Sequence, residues 1–248
     1  LYFIGCYCFL YSLTMILIGL TGGIACGKTT VSAILSEQCH LEVIDCDKIV
    51  HILQAPGSSA VMAIAAEWPE AVDPETKELN RSKLSEIVFK NVDARRKLAR
   101  IMNPRIFLAV VKRILSAWWR APWTRRYVVI LDAPLLFETS ILSRIVSGAV
   151  VVTCEPSTQL RRLLQRPHGP RKEPLSELEG KRRIASQMSM DEKRRRAGFD
   201  IQNECSIGEL QQRVNGAVRW MYEQPTCLFP HMILGSVAAV AVGVVFVG

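Results

Sequence analysis

The stretch Gly22-Gly23-Ile24-Ala25-Cys26-Gly27-Lys28-Thr29 has the spacing glycine, four residues, Gly-Lys-Thr, and a chain carrying it can fold around it in few ways. Such a loop works only where a strand feeds it and a helix leaves it. Both flanks are present. Met15-Ile16-Leu17-Ile18-Gly19-Leu20 is a continuous apolar run that reads as a buried strand, and Val31, Ile34 and Leu35 recur at the i, i+3, i+4 spacing of a packed helix. Glycines let backbone N–H groups turn inward, and the new helix points its positive dipole end at the same place, so the stretch is a phosphate cradle. The expected phosphate-binding residues are Gly22, Gly23, Ile24, Ala25, Cys26, Gly27, Lys28, Thr29 and Thr30. Lys28 is expected to reach the β- and γ-phosphates, and the Thr29 hydroxyl to hold Mg2+.

A length of 248 residues holds one α/β core plus an insertion or a lid. The formal charge of +8 calls for anionic partners, which nucleotides satisfy as well as nucleic acid does. The eight cysteines form no Cys-x-x-Cys pair and no zinc spacing, which points to a reducing compartment. Cys26 lies at a helix N-terminus, where a thiol is readily ionised; the plainer reading is a small spacer.

Residues 1–14 are apolar and aromatic without a basic segment before them. A membrane span there would consume the strand that the loop requires, so these residues read either as an extra segment ahead of a true start at Met15 or as a short targeting segment. Leu41-Glu42-Val43-Ile44-Asp45 reads as a second strand ending in Asp45-Cys46-Asp47. Carboxylates at strand ends suit proton abstraction from an attacking hydroxyl, and they equally suit capping of the next helix. Residues 48 to about 125 are helical by pattern, with Leu79, Leu84, Ile87, Val88, Leu98, Ile101 and Met102 at helical intervals. An excursion of this kind between strands is an insertion, whose natural role is to bind the phosphoryl acceptor.

Tyr127-Val128-Val129-Ile130-Leu131-Asp132 has the pattern of a buried parallel strand ending in an acid, which assigns Asp132 either to Mg2+ or to a helix cap. Ala149-Val150-Val151-Val152-Thr153 is the next strand. Residues 162–188 then run helix, Pro/Gly-rich loop, helix, with arginines, and read as a closing lid. Aromatic residues for base stacking are missing from it, so no nucleic-acid partner is expected. Lys193-Arg194-Arg195-Arg196 reads as a solvated helix end. Phe199 to Asn203 closes the sheet and Ile207 to Tyr222 forms an amphipathic last helix. Residues 225–248 are a linker and an apolar tail. Met232–Gly248 is uncharged and, as a helix, about 26 Å long, enough for membrane attachment with some thinning. That reading places the protein at the cytoplasmic face of an intracellular membrane as a tail-anchored enzyme; a buried terminal strand or helix, in a soluble cytoplasmic protein, is the alternative.

From Met15 to about Tyr222 these motifs, in this order, resemble the dephospho-CoA kinase family. Ile18-Gly19-Leu20-Thr21-Gly22-Gly23-Ile24 with Gly27-Lys28-Thr29 is similar to that family's phosphate loop, and Ile44-Asp45-Cys46-Asp47 to its Asp-x-Asp. Arg81 with Leu84, Ile87, Val88 and Phe89 resembles the acceptor-binding helix. Pro134-Leu135-Leu136-Phe137-Glu138 resembles the family's Pro-Leu-Leu-Phe-Glu, and Gln159-Leu160-Arg161 with Arg166, then Arg183 to Gln187, its lid helices. The resemblance implies an α/β P-loop NTPase fold of three layers, with a five-stranded parallel sheet, a helical substrate-binding insertion and a helical lid, over residues 15–224. It implies MgATP-dependent phosphorylation of the ribose 3′-hydroxyl of dephospho-CoA. Asp47 and Lys28 are then catalytic, and Arg166 and Arg183 contact ATP. Thr21, Asp47, Arg81, Leu135, Leu136 and Glu138 meet the acceptor, and Thr29 and Asp132 the metal. The chain departs from the family pattern at Asn103-Pro104, where His-Pro is usual, and at Cys26, where Ser is usual. A P-loop kinase of nucleosides or nucleoside monophosphates is the alternative.

Overall fold

The computed structural model describes residues 15–122, 125–138, 140–166 and 175–227. They form two compact units, divided at Ile44/Asp45 and at Ser116/Ala117. Residues 1–14 and the proposed anchor Met232–Gly248 lie outside the described residues. Among those described, no helix is long and apolar enough to cross a membrane.

The first unit is built on a five-stranded parallel sheet. Its strands are β1 (Met15–Gly22), β2 (Glu42–Asp45), β3 (Tyr127–Asp132), β4 (Gly148–Thr153) and β5 (Phe199–Gln202), ordered β2-β3-β1-β4-β5. β1 lies in the middle, with Ile18 opposite Ile130 on one side and Leu20 opposite Val150 on the other. All eight of its residues are buried, which is why the sequence there runs apolar without alternation. The chain leaves β1 first toward β2 and β3 and later returns on the other side for β4 and β5. The carboxyl end of β1 is therefore the switch point of the sheet, where open α/β sheets place their ligand crevice.

Beyond the loop the chain enters α1 (Lys28–Ala33), which widens into a π-helical turn at Ile34–Gln38. After β2 come α2 (Cys46–Leu53), α3 (Ser59–Glu67), α4 (Arg81–Lys90) and α5 (Val92–Arg120). After β3 come α6 (Ser140–Ile145), and past β4 α7 (Pro156–Leu164), α8 (Glu177–Ala185) and α9 (Met190–Arg196); α10 (Ile207–Glu223) follows β5. Alternate residues of the sheet, Ile16, Ile18, Leu20, Val128, Ile130, Val150, Val152 and Ile201, pack with Val31 and Leu35 and with Leu210, Val214, Ala217 and Met221 of α10. Spacings of three and four residues put that last set on one stripe, and a capping box between Ser206 and Glu209 fixes where α10 starts. Burying each large side chain of the stripe contributes about 1.5–3 kcal/mol.

The second unit has its own core of Val61, Ile64, Trp68, Val72, Leu84, Ala94 and Met102. The periodic residues Leu79, Leu84, Ile87, Val88, Leu98, Ile101 and Met102 all belong to it or pack on it. Pro104 stands inside α5, where its ring costs the helix a backbone bond; the Arg105 guanidinium donates to the Ile101 carbonyl at 2.6 Å and satisfies an acceptor beside the break.

Candidate active site

The phosphate loop gets its shape from two left-handed residues. Gly27 has φ 87° and Ala25 φ 62°. At Gly27 a side chain is doubly excluded, because an added Cβ would lie 2.1 Å from Asn203 Nδ2. The turn closes on itself through Cys26 N–H donating to the Gly23 carbonyl at 3.2 Å, and α1 starts with Thr30 and Val31 N–H donating to the Gly27 carbonyl. Three side chains from distant segments brace the loop. Gln159 Nε2 of α7 donates to the Ile24 carbonyl at 2.9 Å, and Ile24 N–H donates to Gln187 Oε1 at 2.9 Å. Asn203 Nδ2, just past β5, donates to the Cys26 carbonyl at 2.9 Å.

Lys28 extends from the start of α1 and forms an ion pair with Asp132 at the end of β3. Both are largely buried, at 16% and 5% side-chain exposure, so each charge needs the other or an equivalent substitute. Thr29 and Thr30 are exposed on the first turn of α1. Thr21 is fully buried, and its hydroxyl donates to the Pro134 carbonyl at 3.0 Å, tying the strand that enters the loop to the turn after β3.

That turn separates the residues expected to meet the acceptor. Leu135 is half exposed, at 51%. Leu136 is fully buried and lies over Gly19, where an added Cβ would be 2.4 Å from Leu136 Cδ2. Its role in this structure is packing beneath the sheet end and not surface contact. Glu138 turns inward to the ammonium of Lys193, at 3.1 Å. Lys193 has no solvent exposure and also donates to the carbonyls of Pro134 at 3.3 Å and Gly22 at 3.4 Å. The reading of Lys193 to Arg196 as a solvated end is therefore corrected at its first residue. Arg194 pairs with Asp200, and Arg195 and Arg196 with Glu192 on the outer face, but Lys193 is an internal strut.

Two cavities open around the loop. One of about 170 Å³ is lined by the loop residues Gly22 to Ala25 and Gly27 to Thr29, with Pro134, Arg166 and Gln187. The other, of about 350 Å³, is lined by Ala25, Gly27, Thr30, Arg162, Arg166 and Asn203 among others. Arg166 lines both. A phosphate chain in the first and its nucleoside in the second fits this arrangement, since the first is lined by loop glycines and a lysine and the second has apolar walls from Ile207 and Leu210. Arg183 is exposed on α8, and it is Gln187, just past that helix, that reaches the loop.

In the second unit the two aspartates have different tasks. Asp45 caps α2, its carboxylate accepting from Lys48 N–H at 2.9 Å. Asp47 lies exposed in the first turn and makes no hydrogen bond or ion pair with another described residue. Arg81, the first residue of α4, is exposed with Nη2 at 2.6 Å from His51 Nδ1 of α2.

A family model described as CoaE, dephospho-CoA kinase, matches residues 16–209. The chain belongs to the dephospho-CoA kinase family. It is a phosphotransferase whose acceptor is an alcohol. A dephospho-CoA kinase domain-containing protein of Danio rerio is 40% identical over 200 residues, covering 81% of this chain and 82% of its own. A dephospho-CoA kinase of Saccharomyces cerevisiae is 34% identical over 208 residues, covering 83% and 82%. The crystal structure of TT1252 from Thermus thermophilus superimposes with a TM-score of 0.67 at 27% identity, covering 83% of this chain and 96% of that one.

Within this dephospho-CoA kinase family member, the sequence reading missed Asn203 and Lys193. Asn203 stands at the end of a strand, the same signal that singled out Asp132. Lys193 shares a helical face with Met190 and Ala197, but a basic run hides which of its members points inward.

Proposed function

We propose that the chain transfers the terminal phosphoryl group of ATP to the ribose 3′-hydroxyl of dephospho-CoA, releasing CoA and ADP. The observation that carries this reading is the braced loop Gly22–Thr29 with its two adjoining cavities, in a chain that belongs to the dephospho-CoA kinase family. Loop amides and α1 bind the β- and γ-phosphates, and Lys28 exchanges Asp132 for phosphate oxygens when they arrive. The nucleoside occupies the larger cavity, with Arg166 at the junction neutralising charge that develops on the transferring group.

Asp47 is the general base. Because Asp45 supplies the cap, the Asp47 carboxylate is left for the acceptor hydroxyl, accepting its proton as the oxygen attacks phosphorus. Arg81, held by His51, is the partner for an anionic group of the acceptor, and Thr21, Leu135 and Glu138 shape the acceptor side of the turn after β3. The residues fit Mg2+. Thr29 offers an exposed hydroxyl and Asp132 a carboxylate at the end of β3, and Mg2+ is ordinarily held by one or two protein oxygens together with phosphates and water. Thr29 and Asp132 would hold it, and when bound it neutralises charge on the phosphates.

The test is ATP-dependent CoA formation by the full chain, beside a panel of nucleosides and nucleoside monophosphates. Phosphorylation of the panel alone would replace this reading with that of a nucleotide kinase. Asp47→Asn should lower turnover by about 10²–10⁴ with ATP affinity little changed, which is the usual scale for a lost general base. Lys28→Ala should impair use of ATP itself. Undiminished turnover in either variant would remove that residue from the mechanism.

A further inference from the structure

Cys26 and Cys154 form a pair that phosphoryl transfer does not use. Cys26 lies inside the phosphate loop and Cys154 directly follows β4, yet their sulfurs share a hydrogen bond at 3.2 Å. Both are free thiols, buried at 0% and 5% exposure, in the core cluster that carries the sheet. A disulfide has its sulfurs about 2.05 Å apart, so the two need approach by only about 1.2 Å.

The two sulfurs are also electrostatically unequal. The hydrogen bond to Cys154 and then burial push the Cys26 thiol far above its ordinary value. The same hydrogen bond pulls Cys154 down, against desolvation and with help from the charge of Arg162. Arg162 lines the larger cavity, and its Nη1 is buried with no hydrogen-bond partner among the described residues. Of the two, Cys154 is the sulfur whose ionisation is favoured, by its pairing with Cys26 and by the charge of Arg162, which makes it the attacking thiol and Cys26 the resolving one.

We propose that Cys26 and Cys154 are a modification site, forming a reversible disulfide with hydrogen peroxide as oxidant and closing the phosphate loop to nucleotide. The Cys154 thiolate attacks one peroxide oxygen. An S–O bond forms, the O–O bond breaks, and the departing hydroxide takes up a proton to leave as water. Cys26 sulfur then displaces the hydroxyl of the sulfenic acid. The S–S bond forms, the S–O bond breaks, and a second water leaves with the Cys26 proton. Two thiols lose two electrons in total and one peroxide becomes two waters; a dithiol reverses the bond by exchange.

The loop cannot absorb this movement silently. Cys26 is held by its N–H on Gly23 and its carbonyl on Asn203, and its Sγ lies 2.9 Å from where a Gly23 Cβ would stand. Drawing the sulfur toward β4 pulls on both anchors and turns the Gly27 and Lys28 amides from the positions that grip phosphate. The proposal rests on the nucleotide-binding half of the function above and not on the identity of the acceptor.

The experiment compares the full chain reduced, treated with hydrogen peroxide, and re-reduced with dithiothreitol. Equilibrium ATP binding and peptide mapping of disulfides are the readouts. The expected result is a mapped Cys26–Cys154 bond and ATP binding weaker by at least about tenfold, both reversed by dithiothreitol. Cys154→Ala should bind ATP as tightly as the reduced parent both before and after peroxide, and Cys154→Ser gives the same comparison should the alanine variant not fold. Three results each overturn the proposal: no Cys26–Cys154 bond in the treated parent, the bond with unchanged affinity, or a Cys154 variant that loses affinity as the parent does. A reduced parent that binds no ATP would sink the nucleotide reading itself, and this proposal with it.

Discussion

Replacing Lys193 by methionine keeps the length and the apolar stem of the side chain and removes only its charge. The ammonium has no solvent exposure and holds Glu138 at 3.1 Å, the Pro134 carbonyl at 3.3 Å and the Gly22 carbonyl at 3.4 Å. Breaking a buried ion pair from one side costs about 3–5 kcal/mol, because the remaining charge is stranded. Two features reduce that here. The Glu138 side chain is 24% exposed and can recover some hydration, and the Pro134 carbonyl keeps the Thr21 hydroxyl at 3.0 Å. A loss of about 2–3 kcal/mol is therefore expected, or a melting midpoint lower by about 4–12 °C for a chain of this size. Denaturant unfolding followed by linear extrapolation measures the loss, and a cycle with Glu138→Gln isolates the coupling, expected at about 1–3 kcal/mol. A loss under about 0.5 kcal/mol, the range of ordinary surface substitutions, would return Lys193 to solvent and refute the strut. Additive single losses would refute the pairing with Glu138.

Two further perturbations test the loop and the sheet edge. Gly27→Ala should cost at least about 1 kcal/mol through its positive φ and weaken ATP binding through the collision with Asn203; a variant with parental stability and ATP affinity would show that the loop has another shape. Tyr127→Phe removes a 2.8 Å hydrogen bond to Glu42 and should cost about 1 kcal/mol at neutral pH. The Tyr127 hydroxyl is raised above its ordinary 10.0 by burial and then by the bond to Glu42 and its charge. Above that value the unfolded chain releases the proton first, so the advantage of the parent over Tyr127→Phe should be full below about pH 10 and shrink as pH rises through the folded value. A parent–variant difference that stays constant in alkaline unfolding titrations would contradict this account.

Much of the site was legible because its signal is local. The loop from Gly22 to Thr29 is defined by backbone shape over a few residues, and glycine at position 27 is demanded by a φ of 87° that the motif spacing anticipates. The apolar strands β1, β3 and β4 were equally plain, since strands buried on both faces leave continuous runs. The two aspartates after β2 were not separable by composition. Which one caps α2 depends on backbone angles at Asp45, φ −86° and ψ 110°, that aim its carboxylate at Lys48 N–H. Leu135 and Leu136 are neighbours of one residue type, and only the turn decides that the first faces outward and the second fills the space over Gly19.

The sequence by itself determined the phosphate-binding element, the parallel character of the sheet, the helical insertion and the family to which the chain belongs. The first three follow from periodicity and from a motif whose chemistry is carried by consecutive residues, and the family from the resemblance of several separated motifs in one order. The tertiary structure alone decided that Lys193 is interior while its three arginine neighbours are not, that Gln159, Gln187 and Asn203 brace the loop, and that Cys26 meets Cys154. A polar or ionisable side chain is buried only where remote segments bring it a partner, and no pattern within one helix or strand records which segments those will be.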